Sequence, residues 1–183
     1  MTSSKPWAMA AVFDSSRFYR YALGRRWGEG APLMFITLNP DTADAYEDDA
    51  TIRRCIHFAK RGGYGAICVM NLFAYCTTQP DDLLQEARSG EDVIGPYNDD
   101  HIRSAKLPAG RVIAAWGGTQ AALRGRIPDV LALVWPRALW CLGQTQGDPQ
   151  HPLDAHDDQP LELWRPGESL KFGCVSISKD VLI

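Results

Sequence analysis

The chain has 183 residues, of which 45% are hydrophobic and 22% are charged, as is ordinary for a soluble globular protein. This length supports one domain with its own core, and no apolar run is long enough to cross a membrane. The formal net charge of −3 excludes a protein that attracts nucleic acid through its overall charge. The segment Met1–Trp7 lacks the apolar stretch of a secretory signal, so we expect a cytoplasmic location.

The cysteines exclude several kinds of site. Their number is odd, and no two lie within three residues of each other, the five being Cys55, Cys68, Cys76, Cys141 and Cys174. This spacing argues against a zinc knuckle, a redox pair and a disulfide framework. We predict no cofactor.

The predicted elements begin with Phe13–Trp27, an aromatic and basic segment typical of a strand or a hairpin edge. Leu33–Leu38 has no polar alternation and predicts a strand that is covered on both faces. Thr51–Arg61 has apolar residues at helical spacing and is followed by two glycines, which predicts a helix. Gly65–Leu72 is a second buried strand.

Further elements follow in the second half of the chain. They are a polar loop over 71–80, helices opening at Pro80 and Thr119, helices over Tyr97–Lys106 and Ile127–Val134, strands over Arg111–Trp116 and Leu139–Leu142, and loop from Gly143. The alternation of strands and helices predicts a three-layer α/β/α domain with a four-stranded, mostly parallel sheet. We place the domain at residues 12–166, with terminal extensions at 1–11 and 167–183.

Basic residues cluster in two places despite the negative net charge. The clusters are Arg17, Arg20, Arg25 and Arg26, and Arg53, Arg54, Lys60 and Arg61. We interpret them as solvated helix and turn faces, with a phosphate-facing rim as the alternative.

Polar residues follow the predicted strands and suggest a site, because ligands bind at the C-terminal edge of open α/β sheets. Asn39 follows the first strand, and Pro40 restricts its backbone, so its amide could orient a water molecule or only bond its own turn. Asn71 ends the second strand with a donor and an acceptor that match a base edge, or with a simple cap. His151 lies on a proline-containing loop and could stabilise a developing anion, or be merely exposed.

Carboxylates and aromatic residues extend this candidate set. Asp41 and Asp44 could bind a hard cation, although a solvated acidic turn or a helix N-cap is the preferred interpretation. Phe73, Tyr75 and Tyr46 could stack on a base, or belong to the core.

Several motifs resemble a bacterial domain-of-unknown-function family, family 1643, whose signature is L-N-P-S-T-A-D. The matching segments include Leu38–Asp44, Thr51–Cys55, Asn71–Ala74 and His151–Leu153, and they cover roughly residues 12–164. Asp41 stands where the family signature has serine.

The order of the motifs is also similar, more distantly, to the uracil-DNA glycosylase superfamily. The similar segments are Thr37–Pro40, Asn71–Pro80, Trp116–Gly117 and His151–Leu153. The resemblance implies a glycosylase-like fold in which Asn39 positions the attacking water, Asn71 reads the base edge and His151 stabilises the departing base. To the substrate contacts we add other residues of the polar strand ends, Pro40, Thr42 and Gly117.

The leading hypothesis is therefore a hydrolase that cleaves an N-glycosidic bond of a base-containing ligand. The acidic loop at Asp154, Asp157 and Asp158 disfavours duplex DNA and favours a nucleoside, a nucleotide or a single strand. One alternative is a non-catalytic module that binds nucleobases or nucleotides. Another is a metal-dependent hydrolase that uses Asp41, Asp44 and His151. The oligomeric state stays open.

Overall fold

The computed structural model describes residues 9–119 and 121–165, so the predicted extension at 167–183 lies outside the described residues. The strands are β1 Ala10–Phe13, β2 Arg20–Arg26, β3 Leu33–Thr37, β4 Ala66–Asn71, β5 Arg111–Ala114, β6 Leu139–Cys141, β7 Gln144–Thr145, β8 Asp148–Pro149 and β9 Glu162–Leu163. The helices are α1 Ala50–Arg61, α2 Pro80–Ser89, α3 Asn98–Ala105 and α4 Arg126–Val134.

The main sheet has seven strands in the order β1-β2-β4-β3-β5-β6-β9. The four in the middle, β4, β3, β5 and β6, are mutually parallel and coincide with the four predicted strands. The prediction of a four-stranded sheet was nevertheless wrong, because antiparallel strands extend it at both edges. β2 lies within the predicted strand or hairpin segment Phe13–Trp27, whereas β1 begins before that segment, at Ala10. β9 has only two residues and is too short to produce a periodic pattern.

Helices cover both faces of the sheet because the buried strands alternate their side chains between two apolar clusters. Met34, Ile36 and Met70 face the cluster that includes residues of α2, α3 and α4. Leu33 and Phe35 face the opposite cluster, where α1 packs through Ile52, Cys55, Phe58 and Ala59. The predicted three-layer arrangement is therefore present.

Two local predictions differ from the structure. Residues 121–125 form turns instead of a helix, with Arg124 N–H bonded to the carbonyl of Ala121 three residues earlier. The segment after Gly143, predicted as loop, contains the short β7–β8 hairpin as well as β9. None of the helices in the described part of the chain is long and apolar enough to cross a membrane.

The strand order creates a natural cleft. From β3 the chain crosses to β4 on one side, and it later returns to β5 on the other side of β3. Such a reversal, with parallel strands on both sides, opens a crevice at the C-terminal ends of the two diverging strands. The strand order therefore predicts a site beyond the ends of β3 and β5.

Candidate functional site

A cavity of about 400 Å³ lies at this reversal point, a volume within the usual range for small-molecule sites. Its walls come from the segments after β3 and β5, from the start of α1, and from the loop around His151. Four of the predicted site residues line it, namely Asn39, Asp41, Gly117 and His151. The topology thus brings together side chains that are far apart in the sequence.

The amide of Asn39 is held in one orientation by its own turn and by the segment after β4. Its Nδ2 donates to the carbonyl of Thr77 at 2.7 Å and to that of Pro40 at 3.0 Å. Both amide protons are therefore used, and no donor among the described residues binds Oδ1. The carbonyl oxygen is left as an acceptor at the cavity, which is what positioning a water molecule requires.

The ring of His151 is held as a hydrogen-bond donor toward the cavity. Its Nδ1 accepts the backbone N–H of Leu153 at 3.3 Å, which leaves the proton of a neutral ring on Nε2. Burial lowers the pKa of His151, and Asp154 and Asp49 oppose this effect only in part. The imidazole is thus neutral near pH 7 and can donate to a group that gains negative charge.

The lowered pKa predicts a pH-dependent stability. The unfolded chain binds a proton at His151 near pH 6.5, whereas the folded protein resists it, so the free energy of unfolding falls as the pH drops below about 6.5. We expect His151→Gln to flatten this slope in urea titrations between pH 7 and pH 5. Burial also lowers the pKa of His101, so His101→Gln should remove a separate part of the pH dependence of the free energy of unfolding. Equal slopes in His151→Gln and the wild type would contradict the assignment.

Gly117 determines how closely the end of β5 approaches His151. Its φ is +74°, and a Cβ there would lie 3.2 Å from Cβ of His151. Residues other than glycine rarely adopt this backbone conformation, and the neighbouring atoms leave little space for a Cβ. Gly117 therefore couples the end of β5 to the position of the imidazole.

Replacing Gly117 with alanine is expected to lower the free energy of unfolding by about 1–2 kcal/mol from the left-handed backbone alone. The added methyl group also pushes against His151 and should weaken any activity. Gly118→Ala is the matched control, because a Cβ at Gly118 meets no atom within 4 Å. Urea denaturation of both variants checks the prediction, which is wrong if the two glycines tolerate alanine equally well.

Arginines of α1 hold the loop that carries His151. The Nε of Arg54 donates to the carbonyl of Pro152 at 3.1 Å, and its Nη atoms bond the carbonyl of Ala155 and the carboxylate of Asp157. Arg61 donates to the carbonyl of Asp158 at 2.9 Å. Both arginines bind loop carbonyls, but only Arg54 is partly buried, so the prediction of a solvated face is wrong for Arg54, whereas Arg61 is exposed.

Arg54 should therefore act as a positioning residue for His151. We expect Arg54→Met to increase hydrogen exchange in residues 151–158 while leaving α2 and α3 unchanged, because three loop contacts are lost and the apolar stem is kept. Arg103→Met is the control, since Arg103 pairs only with exposed Asp100 in its own helix. Similar exchange patterns in both variants would contradict a clamping role.

The carboxylates at the cavity have different environments. Asp49 caps α1, and its two oxygens accept N–H groups of Ile52 at 2.8 Å and Ala43 at 3.3 Å. Burial, followed by the nearby charge of Asp49, raises the pKa of Asp41. Asp44 does not line the cavity, and its Oδ1 accepts the backbone N–H groups of Tyr46 and Glu47. No cluster of three or more potential metal-ligating side chains occurs in residues 9–119 and 121–165.

Several predicted contacts lie away from the cavity surface. Asn71 is fully buried, and its Nδ2 donates to Oγ1 of Thr37 at 2.6 Å, the residue beside it in the parallel pair β3–β4. The other predicted site residues that do not line the cavity are Pro40, Thr42, Asp44, Tyr46, Phe73 and Tyr75. Tyr46 is 85% exposed, whereas Phe73 belongs to the apolar core. The ring of Tyr75 packs against Phe18 and Tyr19.

Sequence reasoning missed the cation of the cavity. Arg20 lines the cavity yet is only 2% exposed, so the prediction of a solvated arginine is wrong here, and also for Arg25 at 5%. Trp116 lines the cavity too, and its buried Nε1 has no acceptor among the described residues. The signal for Arg20 was its position at the start of β2, directly before the apolar residues Tyr21, Ala22 and Leu23, which a count of charges ignores.

Comparison with known proteins places these residues within the range of one family model. A family model described as "Protein of unknown function (DUF1643)" matches residues 20–153, well over half of the chain. The match begins at Arg20 and includes Asn39, Asp41, Gly117 and His151. No curated protein and no solved structure matches the chain.

Proposed function

We propose that this chain, which belongs to the DUF1643 family, hydrolyses the N-glycosidic bond of a nucleoside or nucleotide. The observation that carries the proposal is that Asn39 and His151 line the same cavity. The hydrogen bonds of each side chain leave one atom available to a ligand, Oδ1 of Asn39 and Nε2 of His151. The motif order that resembles the uracil-DNA glycosylase superfamily supports the same chemistry.

In the proposed reaction, Oδ1 of Asn39 accepts a hydrogen bond from a water molecule and aims its oxygen at the anomeric carbon. A C–O bond forms as the C–N bond breaks, and the electron pair of the broken bond moves onto the base. The Nε2–H of His151 donates a hydrogen bond to that developing negative charge. Asp41 accepts the proton that the water loses, and the released base takes up a proton from solvent.

The surroundings of the cavity favour a small substrate. Asp154 and Asp158 are exposed on the loop beside His151, where they would repel the phosphates of a duplex. Asp157 is compensated by its ion pair with Arg54. A free nucleoside or nucleotide avoids most of this repulsion.

The test is base release, measured by chromatography, from nucleosides, 5′-mononucleotides and uracil-containing or modified single-stranded DNA. We expect release from at least one class, and a strong reduction in Asn39→Ala purified in the same way. The absence of any released base at high enzyme concentration would overturn the proposal.

A second candidate function is ligand binding without catalysis. The burial of Asn71 favours it, because the amide expected to read the base is bonded to Thr37 instead of lining the cavity. Thermal-shift measurements with bases and nucleotides separate the two functions. Stabilisation that survives Asn39→Ala, without turnover in either protein, would favour the binding module.

The metal-dependent hydrolase has less support from the geometry. Asp41 and His151 line the cavity, but Asp44 lies outside it and is bonded to backbone amides. Metal analysis of the purified protein tests this alternative.

A further inference from the structure

The catalytic proposal leaves the buried guanidinium of Arg20 without a role. Its Nη1 donates to the carbonyl of Ala43 at 2.7 Å, and its Nε has no partner. Its Nη2 has no hydrogen bond within residues 9–119 and 121–165, yet it is not among the fully enclosed unpartnered atoms. This nitrogen is therefore not fully enclosed and is available to a ligand in the cavity that Arg20 lines.

The charge of Arg20 is not neutralised by a direct ion pair in the described part of the chain. No carboxylate of these residues lies within 4.0 Å of its nitrogens. A buried charge without a partner is costly to maintain, and a bound anion would remove that cost. Burial lowers the pKa of this guanidinium, and the negative charges of Asp49 and Asp41 oppose that effect.

The N-terminus of α1 opens onto the same cavity. Asp49, Thr51 and Ile52 all line it, and the helix has 12 residues. The cap satisfies the N–H of Ile52, whereas the N–H and the hydroxyl of Thr51 have no acceptor among the residues that the structure describes. Unpaired amides at the positive end of a helix form a binding site for phosphate.

We propose that the cavity binds a nucleoside monophosphate, with the phosphate between Arg20 and the N-terminus of α1 and the base toward His151. The phosphate part stands on the contacts of Arg20 and Thr51, and the base part rests on the proposed function. Asp49 also lines the cavity, and the backbone amides bonded to its two oxygens reduce its repulsion of a phosphate without removing it. Asp41 and Asp154 line the cavity as well, so the phosphate must keep to the side of Arg20 and Thr51.

The test compares the affinities of common nucleosides and their 5′-monophosphates by calorimetry at low salt, with ribose 5-phosphate as a probe that lacks a base. We expect each monophosphate to bind about tenfold more tightly or better, because charge-assisted hydrogen bonds are stronger than neutral ones. Ribose 5-phosphate should compete with the monophosphates.

Two variants probe the subsite in different ways. Arg20→Gln removes the charge, but it alters a buried side chain and can impair folding. Thr51→Asp places a carboxylate in the first turn of α1, where it favours the helix and repels phosphate. Both should abolish the preference for monophosphates. Gln85→Glu on the exposed side of α2 adds the same charge elsewhere and should leave the preference unchanged.

The outcomes separate this inference from the proposed function. A preference for monophosphates that Thr51→Asp removes, without any base release, would support the phosphate subsite and contradict hydrolysis. Equal binding or cleavage of nucleosides and monophosphates, unaffected by Thr51→Asp, would overturn the subsite and leave hydrolysis standing. If neither the monophosphates nor ribose 5-phosphate binds at millimolar concentration, the phosphate subsite is wrong.

Discussion

Replacing Asn39 with alanine is expected to reduce base release by about 100-fold or more, because an attacking water that loses its orientation loses most of its reactivity. The structure fixes the orientation of this side chain through its amide nitrogen. Two backbone carbonyls, from Pro40 and Thr77, hold the amide nitrogen, and only the oxygen remains for the ligand. The effect should appear mainly in kcat, because the water becomes important in the transition state.

The stability of the same variant is the necessary control. Two neutral hydrogen bonds are lost, which we expect to cost about 1–3 kcal/mol. Gln85→Ala, which truncates an exposed amide on α2, should change neither stability nor activity. If Asn39→Ala is destabilised well beyond that range, or keeps its full kcat, Asn39 is a structural residue of the turn and not a catalytic one.

The centre of the fold could be predicted because each central strand is a short apolar run bounded by polar turns. Those runs are buried on both faces, and their parallel arrangement places Asn39 and Gly117 at one edge of the sheet. His151 was expected at that edge because its loop follows the fourth parallel strand, and not because of any pattern around the histidine itself. The length of the loop before His151 gives no indication of where it returns.

Other features depend on neighbours that a single sequence does not reveal. The amide of Asn71 donates a hydrogen bond to Thr37, because the two residues are directly paired in adjacent parallel strands. The register of strands cannot be read from the composition of a sequence. Arg20 was predicted to be solvated because most arginines are exposed. That tendency is statistical, and it fails here because the side chain is buried beside a cavity. The turns at residues 121–125 contain Gly125 and lead directly into α4, which begins at Arg126.

The charges of the cavity bear on its chemistry. It combines a buried cation and a neutral imidazole donor with an oriented amide oxygen and three carboxylates, those of Asp41, Asp49 and Asp154. The cation and the imidazole suit a ligand that is already anionic at one end and becomes anionic at the other. A nucleotide that loses its base has this distribution of charge.

Replacing His151 with alanine is expected to reduce kcat by about 10²- to 10³-fold, because it removes a donor placed where negative charge develops. KM should change little, since the charge is absent from the ground state. The loss should be smaller for a p-nitrophenyl riboside, whose leaving group stabilises negative charge without help. Stopped assays on both substrates measure this difference.

Two amide replacements identify which ring nitrogen matters. His151→Gln carries an N–H donor at the reach of Nε2, whereas His151→Asn carries one at the reach of Nδ1. Because Nδ1 is bonded to the backbone of Leu153, we expect glutamine to retain more activity than asparagine or alanine. If asparagine is the better replacement, or if all three variants keep the wild-type kcat, then the imidazole serves the loop and takes no part in releasing the base.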